Sequence, residues 1–148
     1  MARLGWDSRF MGLAAHVAAW SKDPDCAVGA VLVSPDRRLI VPGYNGFPAG
    51  VSDRYEGLTR AEKLARTLHA ELNAITNAPG PVRGWTLYCT KFPCMNPCAL
   101  MIVQAGVARV VAPPWDADSS WASAHEAALA LLREAGVAVT RWLPEAGG

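Results

Sequence analysis

The strongest constraint on the fold lies in the last 64 residues, where short apolar runs alternate with helical segments. Residues 85–90 read as a strand, 97–105 as a helix stopped by Gly106, and 107–112 as a strand. Residues 121–135 follow as a helix stopped by Gly136, and 137–142 as a last strand. Strands joined through a helix must lie parallel in one sheet, with a right-handed crossover. The N-terminal half alternates differently. Residues 8–21 place Phe10, Leu13, Ala14 and Val17 at helical spacing, with Asp7 as the expected N-cap. Residues 26–34 are almost continuously apolar, Pro35-Asp36 turns the chain, and 37–42 return as a second strand. The Gly-, Pro-, Asn- and Asp-rich stretch 43–57 reads as a loop long enough to suggest a function. Residues 61–77 have helical composition, in one or two pieces. The order α-β-β-α-β-α-β-α-β predicts an α/β fold, a mixed sheet with helices on both faces.

Composition narrows the function. The chain has 148 residues, the size of one domain, and 51% hydrophobic residues, enough for a core without disulfides. The expectation is one domain over 1–148, with 144–148 a frayed tail. A net charge of +1, spread thinly, leaves no footprint for a polynucleotide. No apolar stretch is long enough to cross a membrane, and Asp7, Arg9 and His16 interrupt any signal peptide. These readings place the protein in the cytoplasm, without nucleic-acid or membrane partners. There the four cysteines, Cys26, Cys89, Cys94 and Cys98, stay reduced, and clustered thiols suggest a metal. Cys26 reads as a buried thiol.

Two short segments carry the chemistry: His69-Ala70-Glu71 and Pro93-Cys94-Met95-Asn96-Pro97-Cys98. One imidazole and two thiolates fill three positions of a tetrahedral zinc and leave the fourth for water, a catalytic rather than a structural arrangement. Such a zinc brings the pKa of its water toward ~7, and Glu71 is placed to shuttle the proton. Asn96 reads as an N-cap and Pro97 as the first helical residue, so Cys98 falls in a first turn that favours thiolate. A lone His-x-Glu is common by chance, and two nearby cysteines often just pack in a core. Their conjunction in this order is much harder to obtain by chance, and H-x-E with P-C-x-x-C is a recognised signature of zinc deaminases.

On these segments, together with Val28-Gly29-Ala30-Val31 and Gly43-Tyr44-Asn45-Gly46-Phe47-Pro48, the chain resembles the deoxycytidylate (dCMP) deaminase family of the cytidine deaminase superfamily. The resemblance implies a three-layer α/β/α fold around a five-stranded mixed sheet. It implies one catalytic Zn²⁺ on His69, Cys94 and Cys98, Glu71 as the catalytic acid-base, and a small pyrimidine nucleotide as substrate. It assigns Asn45 to the sugar, counts Ala70 and Trp115 among substrate contacts, and lets Val28 to Ala30 wall the base pocket. It also implies a homo-oligomer, with which the exposed-looking tryptophans agree.

The chain departs from the family pattern in three places. Three residues rather than two separate Cys94 from Cys98; Cys89 is the nearest substitute ligand. Trp115-Asp116-Ala117 stands where the family shows Tyr-Asp-Lys, so the lysine that reaches the 5′-phosphate is replaced by alanine. Arg54, Arg60 or Arg66 could supply that charge, and Arg54 is favoured because it shares a loop with Asn45. Asn77-Ala78-Pro79-Gly80 offers no aromatic and basic pair for triphosphate regulation. His16 and His125 read as structural or surface residues. The competing functions are a deaminase of a nucleoside, free base or modified cytosine, a polynucleotide deaminase, and a catalytically silent zinc-binding module.

Overall fold

The computed structural model describes residues 3–144, so residues 145–148 of the expected frayed tail lie outside the described residues. Its elements run α1 (Trp6–Ala18), β1 (Gly29–Val33), β2 (Ile40–Tyr44), α2 (Arg60–Arg66), α3 (Ala70–Asn77) and β3 (Thr86–Cys89). A wide helical turn, Met95–Ala99, then leads into α4 (Leu100–Gln104), β4 (Arg109–Ala112), α5 (Ala122–Glu134) and β5 (Ala138–Arg141). The five strands form one sheet in the order β2-β1-β3-β4-β5. β1 is antiparallel to both β2 and β3, whereas β3, β4 and β5 are mutually parallel. The mixed sheet expected from the late strand-helix-strand alternation is therefore present.

Crossover handedness explains the layers. The connections β3-α4-β4 and β4-α5-β5 step in the same direction across the sheet, so right-handed crossovers put both helices on one face. There Ala70 and Ala74 of α3, Ile102 of α4, and Leu129 and Leu132 of α5 pack with Ala30, Leu32, Leu87, Cys89 and Val110. The opposite face is covered by α1, whose Phe10, Met11, Ala14 and Val17 pack on Val31, Val33, Tyr88 and Val111. Alternation within β1 supplies both cores, and all five of its residues are buried. Fully buried Leu32, Leu87, Ile102 and Leu132 each contribute roughly 1.5–3 kcal/mol over an exposed position. Gly106 and Gly136 follow α4 and α5 with φ of 80° and 81°, the left-handed stop that their sequence positions predict.

Two local expectations change. Asp7 lies inside α1, after Gly5 at the N-cap. Its carboxylate instead receives a two-pronged contact from Arg109, at 3.0 and 2.6 Å, and the Tyr88 hydroxyl at 2.8 Å. Long-range charge pairing outweighs the local capping preference here. Cys26 precedes β1 and is exposed, because the first strand starts three residues later than its apolar run suggests. Among the described residues no helix is long and apolar enough to cross a membrane.

Candidate active site

α3 is placed by close backbone approach. A Cβ on Gly43 of β2 would collide with the Ala70 carbonyl and lie 2.5 Å from the Ala74 amide nitrogen, so the helix sits directly on the glycine. Asn73 of α3 donates to the Tyr44 carbonyl at 2.6 Å. Gly46 and Leu68 exchange backbone hydrogen bonds of 3.1 and 2.8 Å, which pin the residue just before His69. His69 caps the helix without a side-chain capping bond, leaving its imidazole free to face the β3–α4 connection.

That connection brings the cysteines. Cys94 is the N-cap of the turn Met95–Ala99, and Ala99 N–H reaches back to the Cys94 carbonyl at 2.9 Å, five residues away. The widened turn absorbs the extra spacer residue. Asn96 carries the irregularity, with φ −131° and ψ 120°, and its peptide bond to Pro97 is cis. The expected cap at Asn96 with Pro97 as first helical residue is therefore corrected: the cap lies two residues earlier. His69 Nδ1 lies 3.1 Å from Cys98 Sγ and 3.7 Å from Cys94 Sγ. All the donor atoms of this trio fall within 4.8 Å of one another. One imidazole and two thiols at that spacing match the donor chemistry of a three-ligand zinc. Cys89 stands outside the trio, fully buried in β3, where burial pushes its thiol pKa well up.

Glu71 follows in the first turn of α3. It is 4% exposed and accepts a bond from the Cys98 thiol at 3.2 Å. Burial raises its pKa, against the partial relief of its backbone and Cys98 hydrogen bonds. Hydrogen bonds from Cys98 and His69 hold the Cys94 thiol far below the ordinary range, to about 4 despite its burial. The bond with Cys94, together with burial and the nearby Glu71 charge, pushes Cys98 up. The bond to Cys94 pulls His69 up.

A cavity opens above this group. Val28, Asn45, Ala70, Glu71, Phe92, Cys94 and His125 line it, with His69. One face of α2, formed by Arg60, Lys63 and Leu64, also faces it with the C-cap residue Thr67, as do Lys91 and Trp121. Val28 is the only one of the residues Val28 to Ala30 to line the cavity; Ala30 is in the core, and Gly29 lies under α1. Asn45 is buried at the wall. Its Oδ1 accepts from Val28 N–H and its Nδ2 donates to the Cys26 carbonyl, both at 2.8 Å. It holds the loop before β1 and retains one N–H for a ligand.

Two expected substrate contacts lie elsewhere. Arg54 is exposed and does not line the cavity; Arg60, at the start of α2, does. Arg66 also lies outside the lining. Trp115 sits behind the cavity wall, its ring 4.8 Å from Phe92 and 5.6 Å from His125, with the Arg141 guanidinium 4.8 Å from it on the outer side. It supports the wall rather than forming it. His125, read as structural or surface, is 2% exposed, with Nδ1 3.2 Å from the Pro93 carbonyl, and it borders the cavity. Trp121 and Lys91 carry little local signal in sequence. The 60-63-64-67 stripe is legible as a helix face, but not the direction in which it points.

A family model described as the cytidine and deoxycytidylate deaminase zinc-binding region matches residues 4–113. A protein of Aliivibrio fischeri described as an uncharacterized deaminase in the luxG 3′ region is 41% identical over 141 residues, covering 94% of each chain. Human deoxycytidylate deaminase is 36% identical over 152 residues, covering 96% of this chain and 82% of that one. The structure of dCMP deaminase from cyanophage S-TIM5, in complex with dCMP and dUMP, superposes with a TM-score of 0.74. It is 26% identical, and the match covers 94% of this chain and 98% of that one.

Proposed function

This chain belongs to the cytidine and deoxycytidylate deaminase family, and from that premise we propose that it is a zinc-dependent hydrolase converting dCMP to dUMP with release of ammonia. One observation carries the reading: His69 and Cys94 line a cavity together with the buried Glu71, and fully buried Cys98 completes the trio of donors within 4.8 Å of one another. In this reading the three side chains hold the zinc and Glu71 is no ligand. When bound, zinc acidifies water toward a pKa of about 7 and so supplies the nucleophile for the ring carbon bearing the amine.

The protein's own residues do the rest. Glu71 takes the proton of the attacking water and delivers it to the ring nitrogen. It then carries the second proton to the amine, the C–N bond breaks, and ammonia leaves. Burial shields this carboxyl from bulk water. Val28, Phe92 and His125 shape the space for a flat ring, and Ala70, with no side chain beyond Cβ, lets that ring approach the backbone of the α3 first turn. The proposal extends to a cytoplasmic setting, where reducing conditions keep Cys94 and Cys98 available as thiolate ligands. It also extends to a homo-oligomer, for which exposed Trp6, Trp20, Leu39, Ile40, Leu100 and Met101 offer apolar contact area.

Ammonia release from cytosine, deoxycytidine, dCMP and CMP tests the substrate. dCMP is expected to give the highest kcat/KM; equal turnover of deoxycytidine would move the protein to the nucleoside deaminases. Glu71→Gln is expected to retain one zinc per chain while losing about 10²–10⁴-fold in kcat. Near-full activity in the Glu71→Gln variant would remove Glu71 from the mechanism.

A further inference from the structure

We propose that Lys91 and Arg60 form the 5′-phosphate subsite of this cavity, an inference that rests on the cytosine-nucleotide reading above. Three cations line the cavity: Arg60, Lys63 and Lys91. Lys63 is already committed. It lies between Asp23, at 2.9 Å, and Asp25, and it is buried. The hydrogen bonds to Asp25 and Asp23 hold its pKa up, so its charge is matched within the cavity wall. Arg60 and Lys91 make no ion pair among the described residues. They come from separate parts of the chain, the start of α2 and the segment after β3, and meet at one cavity.

A phosphate monoester near neutral pH carries close to two negative charges and needs charge-assisted donors. Two unmatched cations supply that charge; Lys63 with its two aspartates adds a net negative charge. The acidic pair disfavours a phosphate beside Lys63 and leaves Arg60 and Lys91 as the unmatched cations of the lining. Lys91 is also held in place before a ligand arrives. Its ammonium lies 5.1 Å from the centre of the Trp121 ring, and Trp121 lines the same cavity. That contact reduces the side-chain freedom the lysine would otherwise lose on binding. The assignment explains how a chain with Ala117 after Asp116 keeps a phosphate site: the cations come from the strand-to-helix connection and from α2.

The test compares dCMP with deoxycytidine in the zinc-loaded wild type and in Lys91→Met and Arg60→Gln. Methionine keeps a stem to lie on Trp121 while removing the charge. Zinc content and thermal midpoint verify that each variant is folded. Lys91→Met is expected to lower kcat/KM for dCMP about 10- to 100-fold, chiefly through KM, with deoxycytidine changed less than about threefold. Arg60 is exposed, so Arg60→Gln is expected to cost a few-fold to about tenfold, again selectively. Lys91→Arg is expected to restore most of the preference. A wild type that prefers dCMP, with that preference intact in both variants, overturns the subsite and leaves the deaminase reading standing. A wild type indifferent to the phosphate overturns the nucleotide reading, and the subsite with it.

Discussion

Gly43→Ala adds one methyl group at a site that touches no substrate, yet it is expected to act on catalysis. The new Cβ would meet the Ala70 carbonyl and lie 2.5 Å from Ala74 N and 3.0 Å from Ala74 Cα. Ordinary contact begins near 3.4 Å, so α3 has to retreat by roughly 1 Å from β2. All three atoms are backbone, so no side chain can swing away to relieve the overlap. α3 carries Glu71 in its first turn and His69 at its cap, and the cysteines belong to another element and do not follow. Displacing the two partners by about 1 Å is enough to lose ~10²-fold in rate. Overpacking of this kind costs about 1–3 kcal/mol in stability. The expected result is therefore a protein that remains folded at room temperature, with kcat reduced about 100-fold and weakened zinc retention. Steady-state ammonia release, urea unfolding and metal analysis measure the three quantities. Activity within about threefold of wild type, with unchanged stability, would refute the reasoning that backbone contact at Gly43 sets the position of α3.

Two further outcomes follow from charges outside the catalytic group. The Arg109 hydrogen bond, aided by Tyr88 and opposed by burial, holds the Asp7 pKa below its ordinary 3.8. Its stabilisation is thus fully present above the unfolded pKa and lost as pH falls through the folded one, so Asp7→Asn should cost roughly 1 kcal/mol in urea unfolding at neutral pH for this half-exposed pair, and progressively less below about pH 4. Lys63→Met leaves Asp23, whose side chain is 5% exposed, with backbone donors from Asp25 and Cys26 but no cation, at an expected cost of about 2–4 kcal/mol that Lys63→Met with Asp23→Asn largely recovers in the same assay.

Much of this architecture is legible in the sequence because it follows from periodicity and chirality. The parallel half of the sheet needs only the alternation of strands and helices, and Gly106 and Gly136 mark the helix ends without ambiguity. The trio of possible ligands is legible because donor chemistry restricts which residue types can serve. Features set by three-dimensional direction are not. Arg54, Arg60 and Arg66 are equivalent as charges near a loop; the rotation of α2 puts Arg60 and not Arg66 at the cavity, and the path of the preceding loop leaves Arg54 outside it. Trp115 and Trp121 are both aromatic residues ahead of the last helix, yet one supports Phe92 from behind and the other lines the cavity. Asp7 is a sound N-cap by local preference, and what moves it is a partner 102 residues away. Nothing local in the sequence marks Lys63 as buried, because the aspartates that pair with it lie 40 and 38 positions earlier.

The segment Gly43 to Gly46 shows why a motif can be diagnostic of an activity without its side chains reaching the reacting atoms. Gly43 provides the backbone seat of α3. Tyr44 contributes a carbonyl to Asn73, and Gly46 pairs with Leu68, the residue before His69. Asn45 spends its amide on Val28 and Cys26, and its carbonyl accepts from Ser21 at 2.8 Å, which fixes the loop carrying Asp23 and Asp25. Four consecutive residues thus hold the His69 imidazole, the Glu71 carboxyl and the loop of Asp23 and Asp25 in register. These contacts use backbone atoms or a compact amide: space requires glycine at Gly43, and donor geometry requires the amide at Asn45, which also lines the cavity. The cysteines are placed independently, by the widened turn at Met95–Ala99. The active geometry therefore depends on the docking of two separately built halves, one on β2 and one after β3, and β1 between those strands is the rigid element common to both. β1 is buried on both faces because α1 packs on Val31 and Val33 and α3 lies on the side of Ala30 and Leu32, and such close packing leaves little play between the two halves.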